Sequence, residues 1–272
     1  ALTGDGADEL FGGYHYYRLI DRLARMLAWP ARPKRSAGWV LDSLPWHRTK
    51  LLSGALKCRD VVGLFHYLRS VNKDYPSLVS ADILQSTADS ASWFEQFSSA
   101  FAMELTASET AMRLDAGLTL PELFLQKVDV ATMAFSLEAR CPMTDYRLVE
   151  WAMRLPMRFK VRNGVSKYLL KKVLSRYLPS GCVYRPKMGF SVPLAQWLRG
   201  PLRTWAQELV HDDTLMSRVP IDKVRVRALL QQQAGGERES HPLLWSVLMM
   251  LCFVQTHGAR RALPVMAYRE VA

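Results

Sequence analysis

Thr3 to Tyr14 reads TGDGADELFGGY: Gly4 and Gly6 sit among the carboxylates Asp5, Asp8 and Glu9, and the run then opens a helix. Glycine tolerates positive φ and close backbone approach, so the amides around Gly4 and Gly6 can face an anion. The neighbouring carboxylates would repel that anion unless Mg²⁺ stood between them. The run therefore reads as half of a magnesium–nucleotide site; taken alone, it also reads as an Asp/Gly turn that caps a helix. Spacing excludes two alternatives. Glu9 stands where a dinucleotide fingerprint needs its third glycine, and Leu10 stands where a calcium loop needs its glycine. A phosphate loop of this kind normally follows a parallel strand whose C-terminal edge aims backbone amides at the ligand. Only Ala1 and Leu2 precede it here, so the expectation is a mainly α chain that is a fragment, its sheet lying upstream.

Composition agrees with a globular chain. Its 272 residues are 49% hydrophobic and 22% charged, enough to bury a substantial core. The most apolar window, Leu243 to Val254, is too short for a membrane span and contains Trp245 and Ser246. The N-terminus lacks the pattern of a signal peptide. Cys58, Cys141, Cys182 and Cys252 are scattered without metal-ligand spacing and read as reduced packing residues. A cytoplasmic location is expected. The excess of 36 Lys+Arg over 25 Asp+Glu gives +11. That charge concentrates in Arg32 to Arg59 and Arg154 to Lys187 without the interleaved aromatics of a nucleic-acid module. A phosphate-bearing substrate plus solvated helix faces is the better account, with no nucleic acid and no membrane as partners.

Apolar spacing predicts a helix over Leu10 to Ala28, stopped by Pro30 and Pro33, then a basic connector. Leu41 to Leu68 continues helically with interruptions at Pro45 and Gly54. Trp93, Phe94, Phe97, Ala100, Phe101 and Leu105 form a packing stripe. Met112 to Met133 is long and apolar, which predicts a place near a buried centre with Asp115, Lys127 and Asp129 paired. Ser136 to Pro156 reads as a loop feeding a short helix, and Asn163-Gly164 as a turn. Val165, Leu169, Leu170, Val173, Leu174 and Tyr177 make one apolar stripe ending at Pro179, with Lys167 and Lys171 on one face. Leu202 to Leu230 and Pro242 to His257 are predicted helices joined by the polar linker Gln231 to Ser240. Strands are nearly absent from the pattern. The histidines show no zinc or triad spacing.

Four motifs in order resemble one family: TGDGADELFGGY, LPELFLQKVDVATMAFSLEARCPMTD, GVSKYLLKKVLSRYLP and VYRPKMGFSVPLAQWL. Together they are similar to the second half of the synthetase domain of glutamine-hydrolysing asparagine synthetases. The resemblance is clear from Leu2 to about Leu198 and looser around Leu244-Trp245. It implies the C-terminal helical part of an α/β, adenine-nucleotide-hydrolase-like (PP-loop ATP pyrophosphatase) synthetase domain. Residues 1–200 are then the motif-bearing part and 201–272 the C-terminal helices. The implied reaction is adenylation of the aspartate side-chain carboxylate by ATP with Mg²⁺, releasing pyrophosphate. Attack by glutamine-derived ammonia then gives asparagine and AMP.

By the same resemblance, Gly4, Asp5, Gly6, Lys167 and Lys171 bind the nucleotide, with Lys167 stabilising the phosphates in the transition state. Asp5 sits where some members carry a glutamate that guides ammonia attack. Asp8 and Glu9 are the metal carboxylates, and Glu138, Arg140, Arg185 and Lys187 line the substrate pocket. Lys171 stands where the family commonly has arginine, which keeps charge but loses bidentate geometry. Val130 replaces the arginine of K-V-D-R, Cys141-Pro142-Met143-Thr144-Asp145 replaces the usual P-F-L-D run, and Thr119 and Leu123 replace the tyrosine and aspartate of Y-L-P-x-D. These departures bear on substrate identity. The S-G-G-x-D-S loop and the N-terminal cysteine of the glutaminase are not in this sequence, so the isolated chain is expected to be inactive without an upstream half. A homodimer is a further expectation. Two alternatives stay open: an amidotransferase or amide-forming synthetase acting on another carboxylate, and a non-catalytic helical binding module.

Overall fold

The computed structural model describes residues 1–44, 46–70, 75–79, 81–86, 105–185, 192–235 and 241–258. The aromatic stripe before Leu105, the Pro45 interruption and Lys187 lie outside the described residues. The chain is mainly helical and divides into two compact units, residues 1–69 with 92–188 and residues 70–91 with 189–272.

In the first unit the opening run forms a short helix, Ala7–Phe11, and then breaks. Asp8 and Glu9 occupy its first turn, where negative charge suits the helix dipole. Gly12 at φ 68° is the left-handed cap that ends it. The single helix expected over Leu10 to Ala28 is thus two, the second being Tyr16–Leu27. Its buried face is Tyr16, Tyr17, Ile20 and Leu23, which packs against Leu64, Phe65, Ala111, Met112 and Leu114. Leu19, Met26 and Leu27 flank that core and are only partly buried.

The expected basic connector is instead a helix, Ala31–Asp42. Pro30 is its extended N-cap, and Pro33 falls in the first turn, where a missing N–H costs no hydrogen bond. Nor does Gly54 interrupt His47–Lys57. A Cβ there would lie 2.1 Å from the Tyr67 ring, so the glycine lets the Val61–Arg69 helix approach.

A capping box opens the next segment: Thr106 Oγ1 accepts from the Glu109 amide while Glu109 accepts from the Thr106 amide. Three stretches follow without a break, the α-helix Ala107–Leu114, the π-helix Asp115–Leu125 and the α-helix Gln126–Met133. Pro121 lies inside the π-helix. Leu118, Leu120 and Asp115 are buried, whereas Lys127 and Asp129 are exposed, against the expectation of a buried, paired pair. The Lys127 ammonium lies 5.3 Å from the Phe124 ring centroid. Burial therefore ends midway along this stretch.

Tyr146–Arg154 forms the short helix expected before Pro156. Val161–Arg162 and Val165–Ser166 then pair as an antiparallel hairpin. Its turn residues, Asn163 and Gly164, have φ of 49° and 79°, the signature of a type I′ turn. The following helix is shorter than expected, Tyr168–Leu174, with Val165 in the strand. Leu169 and Leu170 pack with Leu10, Phe11 and Ala152, while Val173, Leu174 and Tyr177 are exposed.

The second unit is built on Arg203–His211, Asp213–Met216, Lys223–Gly235 and His241–His257, around Ala206, Val210, Met216, Val226, Leu244 and Leu248. The Lys223–Gly235 helix runs through the first half of the expected polar linker. An antiparallel bridge joins Val79 to Ile221, so residues 70–91 belong to this unit. None of the described helices is long and apolar enough to cross a membrane.

Candidate active site

Parallel pairing begins at the head of the chain: Leu2 bridges Arg140, with the Thr3 amide donating to the Arg140 carbonyl at 2.8 Å and the Arg140 amide to the Ala1 carbonyl at 2.8 Å. Thr3 Oγ1 lies 2.9 Å from Cys141 Sγ. The opening loop is thereby seated on the Glu138–Cys141 segment, and Gly6, at φ 92°, faces Met143 and Thr144. Gly4 has open space where a Cβ would be. Asp5 is half-buried in the turn between them.

The central contact joins motifs 159 residues apart. Lys167 Nζ lies 3.0 Å from Asp8 Oδ2, with both side chains about one quarter exposed, at 27% and 23%. Two glycines permit it for different reasons. Gly12 supplies the positive φ that turns the chain, whereas Gly13 supplies space: a Cβ there would sit 1.8 Å from Asp8 Oδ1 and 2.5 Å from Lys167 Cε.

Lys167 itself has φ 53° and ψ 38°, a left-handed conformation that costs a non-glycine residue about 1–2 kcal/mol. It persists because the Lys167 amide donates to the Phe11 carbonyl at 3.1 Å and its carbonyl accepts from the Lys171 amide at 2.9 Å. The strained backbone is locked to the end of the Ala7–Phe11 helix. The Lys171 ammonium lies 5.9 Å from the Tyr184 ring centroid.

Glu9 serves a different environment. It is 2% exposed and accepts from Tyr14 Oη at 2.6 Å. Burial, and then the hydrogen bond to Glu9 and its charge, push the Tyr14 hydroxyl far above its ordinary value, so it stays a donor. Tyr14 stacks on Tyr16, and the Arg69 guanidinium lies over both rings. Behind them, Tyr17 Oη donates to Asp115 Oδ2 at 2.7 Å, and Arg69 Nε lies 3.5 Å from Asp115 Oδ1. Burial drives the Asp115 carboxyl up to about 7, with Glu9 adding and the Thr119 hydroxyl opposing. In the sequence this network showed only as Asp115, one of three charges expected to be paired in an apolar run.

Of the remaining candidates, Glu138 and Arg140 pair with each other at 2.6 Å on the surface, and Arg185 is exposed. Asp145 Oδ1 and Oδ2 accept from the Arg147 guanidinium, which holds the Asp145 carboxyl down near about 2.

The arrangement fits half of a magnesium–nucleotide site. Asp8 and Lys167 offer a partly exposed carboxylate and cation beside glycine backbone. No three His, Cys, Asp or Glu side chains converge as a metal cage among the described residues, and the Glu9 carboxylate is committed to Tyr14. Of the two carboxylates expected at a metal, Asp8 is the one that stands partly exposed beside a cation.

Residues 1–255 match the asparagine synthase family. The chain is 28% identical over 274 residues to "Asparagine synthetase (glutamine-hydrolyzing) 1" of Bacillus subtilis (strain 168), covering 97% of this chain and 41% of that protein. It is 32% identical over 264 residues to "Putative asparagine synthetase (glutamine-hydrolyzing)" of Mycobacterium tuberculosis (strain ATCC 25618 / H37Rv), covering 92% of this chain and 38% of that protein. The chain thus spans about two fifths of the length of these relatives. No solved structure matches.

Proposed function

The chain belongs to the asparagine synthase family, and we propose that it is the helical, C-terminal part of an ATP-dependent ligase that amidates the aspartate side chain. The observation that carries this reading is the Asp8–Lys167 ion pair at 3.0 Å, held between two family motifs by the space left at Gly13. ATP with Mg²⁺ supplies the activation of the carboxylate as an acyl-adenylate when bound. Lys167 holds phosphate oxygens and offsets the charge that develops as pyrophosphate leaves. Asp8 orients the Lys167 ammonium and is the carboxylate this chain offers to the metal. Gly4 and Gly6 let backbone amides approach the phosphates, and Asp5 faces the activated carbonyl as ammonia from glutamine attacks. Glu138, Arg140 and the Arg185 loop border the aspartate. Glu9 keeps the loop in place through Tyr14.

An upstream half, with the S-G-G-x-D-S loop and the glutaminase, completes the site, so the chain on its own turns over no ATP. Thr119, Leu123 and Val130 differ from the family pattern, and Leu123 and Val130 are 54% and 65% exposed. Their position favours one second reading, the same chemistry on a different carboxylate.

The test uses the intact protein that carries this chain. Pyrophosphate release from ATP should require aspartate and should fall by about 10³-fold in Lys167→Ala and in Asp8→Ala. Release that ignores aspartate but answers to another carboxylate selects the second reading. Normal turnover in either variant refutes the site.

A further inference from the structure

Trp39 and Trp46 are 76% and 66% exposed, and both stand on the hairpin that Ala31–Asp42 and His47–Lys57 form by packing on each other. Along the first helix Arg32, Pro33, Ser36, Trp39, Val40 and Ser43 are exposed, whereas Gly38 is buried and Ala37 and Leu41 are half-buried. Those spacings of three and four put the exposed residues on one outward stripe. Trp46 is the extended N-cap of the second helix, and the exposed Lys50 follows one turn later. A face that only meets water carries polar side chains, not indoles. The hairpin is also strongly basic. Residues 31–57 hold Arg32, Lys34, Arg35, Arg48, Lys50 and Lys57 against a single carboxylate, Asp42. Lys57 pairs with Asp42 and Lys50 acts on it at longer range, but one carboxylate balances only one of six cations. Lys34 donates to the Cys58 carbonyl, which leaves its charge in place. The adjoining Tyr16–Leu27 helix adds the exposed Arg22 and Arg25, and the flanking carboxylates Asp21 and Asp60 accept from the Ser108 and Gly63 amides.

We propose that this hairpin docks the protein on an anionic phospholipid surface, with Trp39, Val40 and Trp46 entering the headgroup boundary and Arg32 and Lys50 meeting lipid phosphates. Indole is the side chain that best suits that boundary, since it is apolar over most of its area and donates one hydrogen bond. Basic residues beside it add attraction to the negative leaflet. The aliphatic Val40 beside Trp39 favours lipid over a single-stranded nucleic acid, because it offers no flat face on which a base could stack. The contact is peripheral, as none of the described helices is long and apolar enough to span. This departs from the expectation of a solvated basic segment with no membrane partner: sequence alone did not say that Trp39 and Trp46 face outward. The proposal is independent of the reaction assigned to the Asp8–Lys167 site.

The test is co-sedimentation of the intact protein that carries this chain with vesicles of phosphatidylcholine mixed with phosphatidylglycerol, against vesicles of phosphatidylcholine alone. Binding to the anionic vesicles should saturate, weaken with added salt, and exceed binding to the neutral ones by at least about tenfold. Lipids brominated on the acyl chains should quench tryptophan fluorescence in the wild type and much less in the double variant Trp39→Ser, Trp46→Ser. That variant should bind at least about tenfold more weakly, and Arg32→Gln with Lys50→Gln should weaken binding by a similar factor while flattening its salt dependence. All four substitutions fall at exposed positions, and an unchanged circular dichroism spectrum shows that the fold is kept. Any one of four results overturns the proposal: no saturable binding to the anionic vesicles, equal binding to the neutral ones, unchanged affinity in the tryptophan variant, or tighter binding to a single-stranded oligonucleotide that the same variants abolish.

Discussion

At the scale of single residues, the site depends on one strained lysine and one absent side chain. Lys167 occupies left-handed backbone that glycine would adopt freely. Lys167→Gly relieves about 1–2 kcal/mol of strain and loses a partly exposed ion pair worth less than about 1 kcal/mol. The variant should therefore unfold at equal or higher denaturant concentration than wild type while losing pyrophosphate release, a separation that equilibrium unfolding and a pyrophosphate assay read independently. Gly13→Ala acts the other way, on geometry. Its methyl cannot coexist with Asp8 Oδ1 at 1.8 Å, so the pair must part, and displacements of about 1 Å cost roughly 10² in rate. A drop of about that size in aspartate-dependent pyrophosphate release is expected. The sequence displayed Lys167 and Asp8 as members of separate motifs, but the reason for Gly13 was not legible. A glycine needed for space looks the same in sequence as one needed for φ.

At the scale of elements, the start of the π-helix is tied to two other helices by one carboxyl. Asp115 meets Tyr17 from Tyr16–Leu27 and Arg69 from Val61–Arg69. Its folded-state value of about 7 lies above the ordinary 3.8. Between those values the folded chain holds a proton that the unfolded chain has released, so folding is most favoured at the acid end. That contribution is lost as pH rises towards about 7, at up to roughly 1.4 kcal/mol per pH unit. Melting temperatures of wild type and Asp115→Asn, measured from pH 4 to pH 8, should show the wild type losing ground to the variant up to about pH 7 and holding a constant difference above it. A parallel pair of curves would show that Asp115 ionises normally. The apolar run Met112 to Met133 was readable as a stretch near a buried centre because its composition demanded burial, which the structure bears out only for its first half. The π register was not readable, since it leaves no distinctive spacing in the sequence.

At the scale of the whole molecule, the first unit exposes Leu123, Val130, Met133, Phe135 and Leu137, all from the stretch that follows the buried half of the π-helix. Phe135 is 87% exposed, too large an apolar surface to leave to water without a role. Under the proposed function this face receives the upstream half. The chain expressed alone should bind the dye ANS strongly, and co-expression with that half should suppress the fluorescence; unchanged dye binding would show that the face is covered by something else. What the sequence determined by itself was the helical class, the family, and the residue types of the proposed site, because apolar periodicity and ordered motifs are properties of the chain read in line. Only the tertiary structure decided that Asp8 and Lys167 meet while Glu9 turns to Tyr14 and Lys171 to Tyr184. Adjacent positions on one short helix point in different directions, and their partners come from segments that lie far apart in the sequence.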